Sequence, residues 1–272
     1  MDKSSALGPI LAIGGILGGL MLDGGNVGQI IQPTAFMIVG GGTLGAVLLN
    51  FPLEQVFLAA KSMKTVFFHR ESSTRKLIEQ IVGFANQGRK QGIVSLDKEL
   101  DSIEEPFLRK AVMLAVDGVQ PNDLRHTMEF ELAILSEAAD RVAQVYDAAG
   151  GFAPTIGIIG AILGLIQVMQ HLGQINEVGR GIAVAFVATV YGVAFANLIF
   201  LPMGGKLRYR RRENDLRHEL MLEGVVAMLE GVNPRMLETK LDGFMSESER
   251  AQAKSGGRAA VAAGQTAEPV ES

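Results

Sequence analysis

Cysteine and tryptophan are absent from the 272 residues. The first absence removes disulfide scaffolds, thiolate zinc sites, cysteine nucleophiles and CxxC redox chemistry together. Charge is missing over long stretches as well. Residues 1–53 hold only Asp2, Lys3 and Asp23, and residues 148–205 hold only Glu177 and Arg180, although the chain has 25 basic and 29 acidic residues. The sequence therefore alternates two apolar blocks with two charged ones. A net charge of -4 and a pI near 5.7 give no global attraction to nucleic acid. Catalytic signatures are lacking too: the four histidines (69, 126, 171 and 218) are scattered, and neither HExxH nor a Walker A loop occurs. No enzyme activity, metal site or bound cofactor is expected.

What the chain does have is apolar length and glycine. Its composition is 48% hydrophobic with a mean hydropathy of +0.25 and 33 glycines, about 12% of residues against a usual share of about 7%. The uncharged runs are Ser4–Leu22, Gly24–Leu53, Ala148–Asn176 and Gly181–Gly205. A helix crossing the hydrocarbon core needs roughly 20 mostly apolar residues, so four transmembrane helices are expected. Ser4–Leu22 also has the outline of a signal peptide, but its apolar part is long for one and the next run follows within a few residues, which favours a helical hairpin.

Orientation follows from basic residues near the span ends. Lys61, Lys64, Arg70, Arg75 and Lys76 follow the second span, and Lys206, Arg208, Arg210, Arg211, Arg212 and Arg217 follow the fourth, whereas the connections 23–32 and 172–180 hold only Arg180. This puts both charged blocks and both termini in the cytoplasm.

Glycine pairs four apart (Gly14 and Gly18, Gly15 and Gly19, Gly41 and Gly45, Gly160 and Gly164) lie on single helix faces and predict close helix packing. Gly40, Gly42 and Gly45 match GxGxxG, but mid-span and without the following acid the dinucleotide fingerprint requires. No Asp, Glu, Lys or Arg lies inside a predicted span. A proton relay normally uses an intramembrane ionisable group, so a carrier would have to come from a partner. The polar atoms available in the second pair of spans are those of Thr155, Gln167, Thr189, Tyr191 and Asn197, with His171 near the outer end. Pro154 and Pro202 fall at the inner ends of the third and fourth spans; each is compatible with a kink or with a helix end.

The block 54–147 reads as helical. Leu77, Ile78, Ile81, Val82 and Ala85 form one stripe, and Pro106 opens a helix with Phe107, Leu108, Ala111, Val112 and Ala115. Asn122 or Asp123 is expected to cap a helix running to about Tyr146. Between the first two helices, Arg89, Lys90, Asp97, Lys98 and Glu99 offer both signs of charge, as a solvated face or a docking surface. Arg208, Arg210, Arg211 and Arg212 suit an anchor to anionic membrane lipid. Asn233 is expected to cap a short helix with Pro234 at its first position.

Three segments carry a resemblance. Phe152-Ala-Pro-Thr-Ile-Gly-Ile-Ile-Gly-Ala-Ile-Leu-Gly-Leu, Gly181-Ile-Ala-Val-Ala-Phe-Val-Ala-Thr-Val-Tyr-Gly-Val-Ala-Phe-Ala-Asn with Phe200-Leu-Pro, and Glu223-Gly-Val-Val-Ala-Met-Leu-Glu-Gly-Val-Asn-Pro-Arg resemble the MotA/PomA family of flagellar motor stator A-subunits. It belongs to the wider MotA/TolQ/ExbB group, whose other branch energises outer-membrane transport with three spans. The resemblance implies a bacterial inner-membrane, multi-pass, all-α protein that couples ion flow to torque on the flagellar rotor. It implies a homo-oligomeric, pentameric ring of A-subunits around a B-subunit dimer, each B-subunit with one transmembrane helix bearing the proton-accepting aspartate and a periplasmic peptidoglycan-binding domain. Pro154 and Pro202 match the prolines tied to coupling, and Arg89 and Asp97 match positions that engage the rotor's switch-complex protein, with Lys90 and Glu99 as neighbours. Sodium-driven members carry a threonine seven residues after the first proline; Ala161 stands there, while Thr189 matches a pore threonine of both classes, so proton coupling is expected. Gly151 stands where several relatives have an acid, so no carboxylate role at the inner mouth is carried over.

The expected organisation is transmembrane helices 1 and 2 with a short periplasmic loop over 1–53, a cytoplasmic helical domain over 54–147, and transmembrane helices 3 and 4 with a short periplasmic loop over 148–205. A cytoplasmic helical extension over 206–252 and a disordered tail over 253–272 complete it. The alternatives are an energiser of the TolQ/ExbB type and a passive membrane scaffold.

Overall fold

The computed structural model describes residues 3–67 and 73–245, together with 247 and 249. The expected tail and Arg70 lie outside the described residues. No strand occurs among those described. Eight helices follow in chain order: α1 (Lys3–Leu22), α2 (Pro33–Asn50), α3 (Leu53–Phe67), α4 (Thr74–Gln91), α5 (Pro106–Val116), α6 (Pro121–Gln170), α7 (Ile175–Leu229) and α8 (Pro234–Leu241). A run of 3-10 turns, Ile93–Ser102, links α4 to α5.

Helices α2, α6 and α7 are long and apolar enough to cross a membrane, and the apolar part of α1, Leu7–Leu22, is shorter. Two expected boundaries move. α6 opens at Pro121, before the expected cap, because proline's fixed φ and missing N–H suit a first helical position; it then continues through Tyr146 and Pro154 without a break. The connection expected over 172–180 contracts to 171–174, since Glu177 and Arg180 already sit in the first turns of α7, where a carboxylate is favoured by the helix dipole.

The chain forms two compact units, each built from discontinuous segments. Unit 1 comprises residues 1–70 and 137–211. One of its cores joins Ala35 and Val39 of α2 to Val187 and Ala188 of α7. Another joins Val47, Ala59, Val145, Tyr146, Ala149 and Met203. There α3 is fastened to α6 by the Tyr146 hydroxyl, which donates to Ala59 O at 2.6 Å, and by Gln55 Nε2, which donates to Arg141 O at 2.7 Å.

Unit 2 comprises residues 71–136 and 212–272. Its core takes Leu77, Ile78, Ile81, Phe84 and Ala85 from α4, with Val82 only half-buried, and all five expected residues of α5. α7 contributes Leu220, Met221, Val225 and Val226, and α8 contributes Leu237 and Leu241. Gly224 brings α7 close to α4: a Cβ there would stand 2.6 Å from Ile81 Cγ2. Asn233 caps α8 by accepting from Arg235 N at 3.0 Å, as expected. Glu223 accepts from Arg125 Nη2 at 2.9 Å and pairs with Lys240. Burial alone would raise its pKa, but these two partners outweigh burial and leave it lowered.

His218 lies over the Phe107 ring with centroids 4.5 Å apart, and its buried Nδ1 has no hydrogen-bond partner. Burial lowers its pKa against the opposing pull of Glu105, Asp215 and Glu131. The unfolded chain therefore takes up this proton first, and stability falls as pH drops through the ordinary histidine value of about 6.5. The thermal midpoint of the detergent-solubilised protein is expected to fall between pH 7.5 and 5.5. His218→Phe should remove most of that slope; an unchanged slope in the variant would show that another group carries it.

Candidate functional site

The closest backbone packing in unit 1 is between α6 and α7, and small residues make it possible. One face of α6 buries Ala153, Gly157, Gly160, Gly164 and Val168; the facing stripe of α7 buries Gly181, Ala185, Ala188, Gly192 and Ala196. A Cβ on Gly157 would stand 2.9 Å from Ala188 O, one on Gly164 2.8 Å from Gly181 O, and one on Gly192 2.6 Å from Ala153 O. These contacts are with backbone, which cannot swing aside. They fix an antiparallel register along the whole seam.

That register places four of the expected site residues on one helical hairpin. Pro154 lies in the contact, its Cα 3.2 Å from where a Gly192 Cβ would be. Gly160 faces Ala188, so Ala161 and Thr189, each next in sequence, stand at one level. Pro202 follows Leu201, which packs on Gly150 one turn before Pro154. The two prolines are thus near one level, and neither ends a helix. α6 runs helical through Pro154, and α7 widens into π turns over Phe195–Phe200 directly before Pro202. A proline ring has no N–H and crowds the carbonyl four residues back; a wider turn relieves that clash.

The other four expected residues lie in unit 2. Arg89 and Lys90 close α4 and are exposed, Asp97 is exposed in the 3-10 turns, and Glu99 is half-buried beside it. Among the described residues none of these four charged groups makes an ion pair within the chain. The turn that carries them is nonetheless held: Gly92 takes a φ of 83° that reverses the chain after α4, Gln87 Nε2 donates to Ser95 O at 3.4 Å, and Arg109 Nε donates to Ile103 O at 3.1 Å.

Polar groups in the spans are mostly spent on their own helices. Thr155 Oγ1 donates to Phe152 O, Thr189 Oγ1 to Ala185 O and Asn197 Nδ2 to Val193 O, and His171 Nδ1 pairs with Gln167 O. Tyr191 is the exception. Its hydroxyl donates to Ile30 O at 2.5 Å and accepts from Gln32 N at 3.2 Å, while its ring stacks on Phe195 and meets Phe36 edge-on. It ties α7 to the entry of α2.

Two expectations change. Gly14, Gly15, Gly18, Gly19, Gly41 and Gly45 meet nothing within 4 Å of an added Cβ, so the close packing expected of them does not occur within one chain; spacing alone cannot say which glycine faces a neighbour. The four arginines expected to face lipid also divide: Arg208 pairs with Asp147, Arg211 pairs with Asp140 at 2.8 Å, Arg210 is buried, and Arg212 is exposed. The acids on α6 that turn Arg208 and Arg211 inward are seven residues apart, a signal visible in sequence only once the helix register is known. Gly157, Gly181 and Gly192 were likewise missed, because their partners stand on the opposite helix rather than four residues along their own. Among the described residues no cluster of three or more His, Asp or Glu could hold a metal ion.

A family model described as the MotA/TolQ/ExbB proton channel family matches residues 99–220, and one described as motility protein A N-terminal matches residues 6–92. The chain is 33% identical to an uncharacterized protein, YtxD, of Bacillus subtilis, over 89% of each chain. It is 30% identical to motility protein A of the same organism, over 92% of this chain and 93% of the relative. A solved structure of C. jejuni MotAB superposes with a TM-score of 0.86 at 32% identity, over 91% of this chain and 97% of that one. The glycine seam, the two prolines and the charged turn are therefore those of a member of the MotA/TolQ/ExbB proton channel family, to which this chain belongs.

Proposed function

We propose that the protein is the A-subunit of a flagellar motor stator, which couples ion flow in the inner membrane to torque on the rotor. The observation that carries this reading is the α6–α7 hairpin: a backbone-tight seam without an ionisable residue, bracketed inside by Pro154 and Pro202. Such a seam transmits displacement and cannot itself relay a proton, so the carrier belongs to a B-subunit with a transmembrane aspartate. Relatives named motility protein A and the solved MotAB complex support that partner. The match of residues 6–92 to a motility protein A model favours the motor over a TolQ/ExbB-type energiser.

In this reading α1, 20 residues and so about 30 Å long, is the fourth span beside α2, α6 and α7. Lysines and arginines after the second and fourth spans put both termini and unit 2 in the cytoplasm. A pentameric ring of A-subunits surrounds the B-subunit dimer, which is anchored to peptidoglycan. Protonation of the B-subunit aspartate changes its contacts with α6 and α7, and the hairpin moves about Pro154 and Pro202. Arg89 and Asp97, with Lys90 and Glu99 beside them, present unpaired charge to the rotor's switch-complex protein. Ala161 supplies no hydroxyl to replace the hydration shell of sodium, and Thr189 bonds its own helix, so the coupling ion is the proton.

Three outcomes test the reading in a host lacking its own stator. Pro154→Leu and Pro202→Leu are each expected to reduce stall torque at least tenfold at unchanged membrane abundance; wild-type torque in both would remove the assigned role. Arg89→Glu and Asp97→Lys should slow swimming severalfold, and more at low than at high ionic strength inside the cell, with unchanged speed counting against docking. Swimming powered by the wild-type protein should stop with a protonophore and ignore external sodium, whereas speed that follows sodium would refute proton coupling.

A further inference from the structure

Two ion pairs join α6 to α7 between the prolines and residues 136 and 211. Asp140 and Asp147 are seven residues apart on α6, which puts them on one helix face, and they meet Arg211 and Arg208, three apart on α7. Gly204 makes room for the inner pair: a Cβ there would lie 2.7 Å from Asp147 Oδ1 and 3.4 Å from Ala143 O. Gly204 stands two residues beyond Pro202, and Asp147 stands seven before Pro154. Both pairs join the two helices on the inner side of both prolines. Beyond residues 136 and 211 both helices pass into unit 2, which carries Arg89 and Asp97.

The glycine contacts fix the register of the two helices over the seam, from Gly164 and Gly181 to Gly150 and Leu201. Point charges facing each other at two heights carry that register on toward residues 136 and 211, since either pair is lost when one helix shifts along the other. All four side chains are about one-third to two-fifths exposed, and pairs of that kind contribute little to stability. Their placement is explained by register rather than by folding.

We propose that Asp147–Arg208 and Asp140–Arg211 are positioning pairs that lock α6 and α7 into one strut, so that displacement at Pro154 and Pro202 reaches the docking turn instead of being absorbed as slip between the helices. The inference rests on the stator reading. The strut predicts a separation that a merely structural role does not: loss of torque with ion flow retained.

The test uses the full chain with its B-subunit in a stator-deleted host. Stall torque of tethered cells is measured beside passive proton flux in membrane vesicles, at matched protein abundance. Asp147→Asn, Arg208→Gln, Asp140→Asn and Arg211→Gln are expected to reduce torque threefold or more while flux stays within twofold of wild type. The charge-exchanged double variants Asp147→Arg with Arg208→Asp, and Asp140→Arg with Arg211→Asp, should recover at least half of the lost torque. Single variants with wild-type torque, flux that falls in step with torque, or exchanged pairs no better than the singles would each overturn the proposal. If a neutral variant fails to insert, Asp147→Glu and Arg208→Lys, which keep charge but change reach, are measured instead under the same criteria. A wild-type protein that supports neither flux nor torque would instead overturn the stator reading itself, which keeps the two failures apart.

Discussion

The structure of unit 1 depends on one contact, the approach of the α6 backbone to the α7 backbone at Gly157, Gly164, Gly181 and Gly192. A bilayer offers no hydrophobic drive for helices to associate, because lipid tails are as apolar as leucine. Association then rests on dispersion and on carbonyl dipoles brought close, and both grow as side chains shrink. Each helical glycine costs about 1 kcal/mol of propensity relative to alanine. That cost is accepted where a Cβ would strike a carbonyl or an α-carbon, as at 157, 164 and 192. Because the obstacles are backbone atoms, the seam admits one register, and every functional position on the hairpin inherits its level from it.

The prolines are placed where the same hairpin can yield. α7 meets Pro202 with π turns, a local arrangement in which the ladder of hydrogen bonds is already shifted by one residue. α6 carries Pro154 inside the seam and stays helical. One helix departs from the α pattern and the other lacks a donor, both near the inner end of the tight contact. On the inner side of the prolines the two arginine–aspartate pairs join the same helices, and in the proposed stroke they hold the register that the prolines interrupt.

Much of this was legible in the sequence, for identifiable reasons. The apolar helices were readable because membrane insertion demands an uncharged run, and charge is the easiest property to count. The stripes Leu77-Ile78-Ile81-Ala85 and Phe107-Leu108-Ala111-Val112-Ala115 were readable because an aqueous unit must segregate apolar residues onto one face. Pairings between helices were not. Gly14 and Gly160 sit in similar local patterns, yet an added Cβ on the first meets no described atom within 4 Å beyond its own helix backbone, while one on the second abuts Ala188 and Ile38. The arginines after Pro202 looked like lipid anchors because their composition is that of an anchor; only the register of α6 against α7 reveals Asp140 and Asp147 opposite Arg211 and Arg208. Arg89 and Asp97 stood out by resemblance, and that neither makes an ion pair among the described residues is a property of the fold that no spacing discloses.

The charged residues of this chain thus do two kinds of work, and the difference lies in whether a charge is already satisfied. Arg75, Arg125, Glu223, Asp140, Asp147, Arg208 and Arg211 all have partners inside the chain. A paired charge is a poor recruiter, since a newcomer must first displace a ligand a few ångströms away. Among the described residues Arg89, Lys90, Asp97 and Glu99 have no ion-pair partner to displace, and the turn beneath them is held by Gln87, Gly92 and Arg109. A surface of that kind attracts a complementary partner quickly, holds it weakly and releases it without unfolding. In the proposed docking, those are the demands on a contact made and broken at every step.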